Sequence, residues 1–191
     1  MAVLTAPIQI ERVKKSRIST IDFSNLGFGN HISDHMLVAD YKNGEWQEAK
    51  IVPYGDMALS PAMLSIHYGQ SVFEGMKAFK NKKGEITIFR PQRHQQRLNK
   101  SLERMCMPTI SEEMFMSCLV ALLEVDSDWI PTSEGSSLYL RPFVFASEAK
   151  DVQNTGTIAG IYCEKFCFHR TQSTQKIACC ELACNCERRG I

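Results

Sequence analysis

The chain has 191 residues, 44% of them hydrophobic, which is enough to bury a sizeable core in one domain. Its 22 Lys and Arg residues balance 21 Asp and Glu residues, so there is no general electrostatic attraction for nucleic acid or an anionic membrane. No run of about 18 apolar residues and no secretory signal pattern occurs, and we therefore expect a cytoplasmic protein without a membrane span.

Two β-hairpins are predicted in the first half of the chain. Residues 36–41 and 45–52 are strand-like and flank Asn43-Gly44, a dipeptide that is a strong hairpin signal. Residues 77–80 and 85–89 have the same character and are joined by a short turn that ends in glycine. We expect antiparallel pairing in both.

Three helices are predicted by their starting residues. Ser60-Pro61 predicts a helix over residues 61–72, and Pro91 predicts another that ends near Met105. Ser111 precedes two glutamates, an arrangement that favours a helix N-terminus. The third helix has one apolar face, which we interpret as core packing: Met114, Phe115, Cys118, Leu119, Leu122 and Leu123.

The last predicted strand covers residues 138–145. Pro142 interrupts it, which favours an edge position or a bulge because proline has no backbone N–H to donate. The order of hairpins and helices predicts an α+β domain, an α/β two-layer arrangement, rather than a series of βαβ units.

Cysteine usage changes sharply near residue 150. Only Cys106 and Cys118 lie in residues 1–149, and both occupy positions of the apolar periodicity. Such sparse cysteine usage is typical of a protein from a reducing compartment. The other six of the eight cysteines lie beyond residue 160, where neither a helical nor a strand period is clear. We expect a folded domain over residues 1–149 and an irregular Cys-rich tail over residues 150–191.

Cationic side chains line the helix predicted after Pro91, at spacings of three, four and seven: Arg90, Arg93, His94, Arg97 and Arg104. Spacing alone favours a solvated face, although guanidinium groups are also well suited to binding phosphate. Tyr139 and Arg141 are two apart on a predicted strand and so share one face. Together they could hold a carboxylate, or they could simply face water.

Three motifs occur in order along the chain. Residues 67–79 read HYGQSVFEGMKAF, residues 89–91 read FRP, and residues 137–142 read SLYLRP. Over residues 23–147 the sequence closely resembles the N-terminal part of the branched-chain amino acid aminotransferases. These are pyridoxal phosphate (PLP) enzymes of fold-type IV.

The resemblance implies a fold, a cofactor and an activity. The expected fold is the small N-terminal domain of a two-domain enzyme that assembles as a homodimer or higher oligomer. The expected reaction transfers the amino group of leucine, isoleucine or valine to a 2-oxo acid, 2-oxoglutarate, in amino-acid biosynthesis or degradation. Related class IV aminotransferases act on D-amino acids or aminodeoxychorismate, so the substrate is less firmly implied than the family.

The resemblance also implies site residues. Arg97 matches the arginine that contacts the cofactor phosphate. Tyr139 and Arg141 match residues near the substrate carboxylate. Phe28, Tyr68 and Phe73 match aromatic residues that form the wall of an apolar substrate pocket, with Tyr68 reaching across the dimer interface. Without the resemblance, Tyr68 and Phe73 would be interpreted as core residues.

The resemblance stops after Ser147. The cofactor-carrying lysine of the family has no identifiable counterpart, because neither Lys165 nor Lys176 has a matching context. We interpret the tail as a frameshifted or truncated remnant of the large domain. Two alternatives are a zinc site, although the cysteine spacings do not match the usual pairs, and an unstructured partner-binding extension. Each would make the chain a non-catalytic protein, and we predict no metal-ligating residue.

Overall fold

The computed structural model describes residues 8–23, 26, 29, 31–147 and 159–168. Within them, no helix is long and apolar enough to cross a membrane. The strands are β1 (Gln9–Ile10), β2 (His35–Val38), β3 (Tyr41–Lys42), β4 (Glu45–Trp46), β5 (Lys50–Pro53), β6 (Ser71–Phe73), β7 (Met76–Lys80), β8 (Ile86–Ile88), β9 (Ser137–Ala146) and β10 (Ala159–Phe168); the helices are α1 (Leu64–Tyr68), α2 (Pro91–Arg104) and α3 (Glu112–Val125).

The larger sheet is built around β9. This strand pairs antiparallel with β10 on one side and with both β6 and β7 on the other, and β8 follows β7. Phe73 is opposite Phe143 and Met76 is opposite Leu140, so β6 and β7 continue along β9 in one register. The two residues between them, Glu74 and Gly75, therefore lie opposite the middle of β9.

Pro142 lies within this central strand, so the prediction of an edge position is wrong. The sheet accommodates it because only one backbone bond is needed there: the Glu74 N–H donates to the Pro142 carbonyl at 2.9 Å. The reciprocal bond, which proline cannot donate, is absent. The ladder is weakened at one position rather than bulged.

Both predicted hairpins are present. Asn43 and Gly44 have φ values of 56° and 85° and connect β3 to β4, which is the backbone that an Asn-Gly turn favours. The same segment brings β2 antiparallel to β5 in a smaller sheet, with β1 parallel to β5 on its other side. β7 and β8 form the second hairpin.

Two of the three predicted helices match the structure. α2 begins at Pro91, and α3 is capped by the Ser111 hydroxyl, which accepts a hydrogen bond from the Met114 N–H at 3.1 Å. All six residues of the apolar face of α3 are buried. The first predicted helix is wrong in length, because α1 ends at Gly69 in a left-handed conformation and Val72 belongs to β6.

Helix α2 packs against β6 of the larger sheet, and α3 packs against α2 and against β2 of the smaller sheet. The strand period decides which side chains of β9 are buried. Leu138, Leu140 and Val144 of β9 are fully buried, as are Leu98 and Leu102 of α2. This alternation makes two layers, sheet and helices, and confirms the α+β prediction.

Strand β10 was not predicted. Residues 159–168 pair with the whole of β9, so part of the tail that we expected to be irregular is regular. The rest of the cysteine-rich segment, including Cys179, Cys180, Cys184 and Cys186, lies outside the described residues. Within the described part of the chain no cluster of three or more metal-ligating side chains occurs.

Candidate functional site

One group of predicted site residues lies on the sheet face away from the helices. Strand alternation directs Tyr139 and Arg141 to the side opposite Leu138 and Leu140. The Arg141 guanidinium lies 4.8 Å from the Phe73 ring centroid and 5.3 Å from that of Tyr139. It also donates a 3.3 Å hydrogen bond to the Tyr139 hydroxyl. The structure thus brings three of the predicted residues together, and the cation lies against two aromatic rings.

Gly75 makes this grouping possible. It lies opposite Arg141 in the register, and a Cβ atom at Gly75 would overlap the Tyr139 hydroxyl and lie 2.9 Å from its Cζ atom. Any larger residue would therefore displace the phenol. The glycine is required for space rather than for an unusual backbone conformation.

Substitution of Gly75 by Ala should separate Tyr139 from Arg141. We expect the free energy of unfolding to fall by about 1–3 kcal/mol, because the ring must leave its rotamer. The matched control is Gly55→Ala, since Gly55 has nothing within 4 Å of its added Cβ; its effect should stay within about 1 kcal/mol. Urea unfolding of both variants measures the difference, and equal midpoints would contradict the assigned position of Tyr139.

Arg97 lies on the other face of the same sheet. Its Nε and Nη2 atoms each donate a 2.5 Å hydrogen bond to the Glu74 carboxylate, and His94 Nδ1 lies 3.1 Å from the same carboxylate. The Glu74 side chain is only 6% exposed, whereas that of Arg97 is 65% exposed. The guanidinium is therefore bound by a buried carboxylate at its Nε and Nη2 atoms, while much of the Arg97 side chain is exposed to solvent.

The opposite charges of Glu74 and Arg97 stabilise each other's ionised forms. Burial acts to raise the pKa of Glu74, but hydrogen bonds from Arg97 and His94, together with their charges, hold that pKa below its usual value. The hydrogen bond to Glu74 raises the pKa of Arg97. Because the folded-state pKa of Glu74 is depressed, the stability it contributes is present above the unfolded pKa and is lost as pH falls through the folded pKa.

The two groups meet around one short segment. Phe73 belongs to the Arg141 face, Glu74 to the Arg97 face, and both are consecutive in the chain. Within the described residues β8 pairs only with residues 78–80, which leaves the edge of this segment away from β9 without a neighbouring strand. Arg97 and Arg141 therefore lie on opposite faces of the sheet, on either side of this segment.

The predicted aromatic residues of the longest motif are exposed: Tyr68 is 70% exposed, and Phe73, which contacts Arg141, is 61% exposed. The alternative interpretation of both as core is therefore wrong for this chain. Tyr68 ends α1, next to the left-handed Gly69. Phe28 lies outside the described residues. The roles of all six residues in binding stay predictions.

Sequence reasoning missed Glu74. It is the central residue of the Phe-Glu-Gly part of the longest motif, and strand alternation places it on the helix-covered face with Val72 and Met76. A carboxylate on a buried face needs a cationic or hydrogen-bonding partner, and that signal could have linked it to the arginines of α2.

A second polar cluster was also missed. Asp34 accepts hydrogen bonds from the Arg17 backbone and side chain and from the Trp129 indole, while His35 pairs with Asp126. Burial acts to raise the pKa of Asp34, but these hydrogen bonds and one from Ser16 hold it below its usual value. The cluster joins the N-terminal segment to the end of α3. Its carboxylates, His35 and Trp129 are buried, whereas the Arg17 side chain that closes it on the outside is 49% exposed.

Solved structures identify the class of this fold. The chain is similar to the branched-chain aminotransferase of Thermoproteus uzoniensis with norvaline, with a TM-score of 0.54 and 22% identity over 71% of this chain and 42% of that one. It is also similar to the branched-chain aminotransferase of Escherichia coli, with a TM-score of 0.50 and 25% identity over 67% of this chain and 40% of that one. The fold is that of one part of a fold-type IV aminotransferase.

Sequence comparison identifies the family. Branched-chain-amino-acid transaminase 1 of Bacillus subtilis is 46% identical over 128 residues, which are 66% of this chain and 36% of that protein. Branched-chain-amino-acid aminotransferase 2 of the same organism is 40% identical over 149 residues, 78% of this chain and 40% of that protein. No protein-family model matches. The chain is homologous to the branched-chain aminotransferases and spans two fifths or less of these relatives' length.

Proposed function

We propose that this chain supplies the small-domain part of a PLP-dependent branched-chain aminotransferase, which transfers the amino group of leucine, isoleucine or valine to 2-oxoglutarate. The observation that carries the proposal is Arg97, an exposed guanidinium held in place by a buried carboxylate, in a chain 46% identical to a branched-chain transaminase. A cytoplasmic location is part of the proposal, supported by free Cys106 and Cys118.

The role proposed for Arg97 is to bind the cofactor phosphate. The residue fits that group because Glu74 occupies only the Nε side of the fork, while the N–H groups at the outer end can donate to two phosphate oxygens. PLP, when bound, supplies the electron sink that amino-group transfer requires. The chain's own contribution is to hold the phosphate end.

The role proposed for the opposite face is to bind the substrate. Arg141 supplies a cation and Tyr139 a hydroxyl for the substrate carboxylate, and Phe73 supplies apolar surface for a branched side chain. Tyr68 and Phe28 are proposed to complete that apolar wall, Tyr68 in a second subunit of a homodimer or higher oligomer. The exposure of Tyr68 and Phe73 supports this, because both are large apolar surfaces that a partner or domain would cover.

Catalysis is proposed to need residues beyond the matched part. The relatives are more than twice as long as the matched segment, and no counterpart of the cofactor-carrying lysine is identifiable in this sequence. We therefore propose that the isolated chain binds but does not turn over substrate. The compositional change near residue 150 supports a frameshifted tail, and sequencing the encoding nucleic acid beyond codon 150 tests that part.

Binding of pyridoxamine 5′-phosphate and of pyridoxamine tests the proposal. Neither has an aldehyde that would react with surface lysines, and they differ only in the phosphate. We expect the full chain to bind the phosphorylated compound more tightly in an NMR titration. Arg97→Gln should remove about 1.5–3 kcal/mol of that preference, roughly 10- to 150-fold, because charge-assisted hydrogen bonds are lost.

The matched control is Arg93→Gln on the same helix, because the Arg93 guanidinium donates to the neighbouring Gln96 side chain at 3.3 Å rather than to Glu74. It removes the same charge and should leave the preference nearly unchanged. Equal affinity of the wild-type chain for both compounds, or equal effects of the two substitutions, would contradict the proposed role of Arg97.

A further inference from the structure

We propose that Glu74 is a positioning residue that fixes the Arg97 guanidinium in the orientation needed to bind a phosphate. The inference rests on the proposed function, because it concerns how the phosphate anchor is held. Glu74 does not contact the ligand in this proposal. It acts through Arg97, with His94 as a third member of the cluster.

The backbone of Glu74 is fixed by the sheet. Its N–H donates to the Pro142 carbonyl of the central strand, and the residues on either side of it continue the register with β9. The side chain is 6% exposed and lies under α2. The carboxylate is thus attached to a short link between two strands that both pair with β9, and this attachment makes it a fixed reference point for a flexible side chain.

The hydrogen-bond pattern then orients the arginine. A guanidinium has five N–H donors in a planar fork, and Glu74 takes one from Nε and one from Nη2. The remaining three, on Nη1 and the outer side of Nη2, point away from the carboxylate. Because the Arg97 side chain is 65% exposed, this outer edge faces solvent as a preformed site for two phosphate oxygens.

Two effects of Glu74 on phosphate binding oppose each other. Its negative charge repels a phosphate, and its hydrogen bonds remove the conformational freedom that Arg97 would otherwise lose on binding. The first effect is weak because the guanidinium lies between the two anions and solvent screens the exposed side. The second effect is not screened by solvent, since an arginine that is not held by Glu74 samples many rotamers and loses that freedom on binding. Orientation should therefore dominate, and removing the carboxylate should weaken binding.

The test uses the full chain with pyridoxamine 5′-phosphate and pyridoxamine as probes. Glu74→Gln keeps the shape of the side chain but has one acceptor oxygen where Arg97 needs two. We expect the preference for the phosphorylated compound to fall about two- to tenfold, the effect of releasing one rotamer-rich side chain, with pyridoxamine affinity unchanged. The Arg97 Nε–H NMR signal should be protected from exchange in the wild-type chain and lose that protection in the variant, with or without ligand.

Two further variants separate positioning from a merely structural role. Glu103→Gln removes an exposed carboxylate from the same helix and should change neither the preference nor the Arg97 signal. Glu74→Asp retains the buried negative charge, which preserves folding, but shortens the side chain and shifts the fork. It should lower the preference as Glu74→Gln does.

The outcomes distinguish this inference from the proposed function. If Arg97→Gln abolishes the preference while Glu74→Gln and Glu74→Asp leave it unchanged or increase it, the positioning role is overturned and Arg97 remains the phosphate anchor. If Arg97→Gln has no effect, the proposed function fails and the inference fails with it. A lowered preference in both Glu74 variants, with Glu103→Gln unchanged, supports the positioning role.

Discussion

Substitution of Leu122 by Ala is expected to lower the free energy of unfolding by about 2–5 kcal/mol. Leu122 is fully buried on the inner face of α3, where the helix packs against α2 and the smaller sheet. Removing its three outer carbons loses the transfer free energy of the side chain and leaves a cavity that the two layers cannot close completely. Chemical denaturation followed by circular dichroism measures the change.

The same helix provides the matched control. Val120 lies two residues earlier and is 47% exposed, so Val120→Ala should change the free energy of unfolding by no more than about 0.5 kcal/mol. Ala is also the better helix former, which further reduces the loss. If the two substitutions had similar effects, α3 would not have the orientation described here.

The orientation of α3 could be predicted because every signal for it is local. A serine cap, two acidic residues in the first turn and apolar residues at helical spacing lie within fourteen positions, and all three agree with the structure. The hairpins at Asn43-Gly44 and at residues 81–84 are local in the same sense. The resemblance of three motifs to a known family then predicted the family, which the spacing of apolar and charged residues alone could not do.

The α1 segment shows where local signals fail. Apolar residues after Pro61 have helical spacing, but Gly69 ends the helix after five residues and Ser71–Phe73 pair with β9, some seventy positions away. The competing pairing is not visible in the local sequence. β10 was missed for the same reason, because its strand partner, and not its own periodicity, defines it.

The candidate site was predictable only in part. Tyr139 and Arg141 share a face because of the two-residue strand period, and the structure agrees. Placement of Arg97 on the other face depends on which side of the sheet α2 covers, and its partner Glu74 is 23 positions away. The requirement for Gly75 beneath Tyr139 depends on the register of two strands, which a single sequence does not specify.

A second large effect is expected at Asp126, the residue after α3. Its Oδ1 atom lies 2.5 Å from His35 Nδ1, and its Oδ2 atom accepts the His35 backbone N–H at 3.2 Å, with both side chains buried. The Val13 N–H donates to His35 Nε2 at 3.0 Å, which assigns the proton of the neutral ring to Nδ1. Asp126 thus accepts two donors that water cannot reach.

Substitution of Asp126 by Asn should lower the free energy of unfolding by about 1–3 kcal/mol. Asparagine has one acceptor oxygen, so one of the two His35 donors would face an NH₂ group and stay unsatisfied in the interior. Urea unfolding measures the change. Asp128→Asn makes the same charge change two residues later at an exposed position, and its effect should be within about 0.5 kcal/mol.

Amide exchange at Val13 adds a readout specific to this network. Because the Val13 N–H bonds to the His35 ring, a ring displaced by Asp126→Asn should leave that amide less protected, although residue 13 is 113 positions from the substitution. Unchanged exchange in a destabilised variant would mean that the ring is held by packing alone. If Val13 loses protection in Asp126→Asn but not in Asp128→Asn, the N-terminal segment is anchored to the end of α3 through His35. One imidazole ring would then join three segments of the chain.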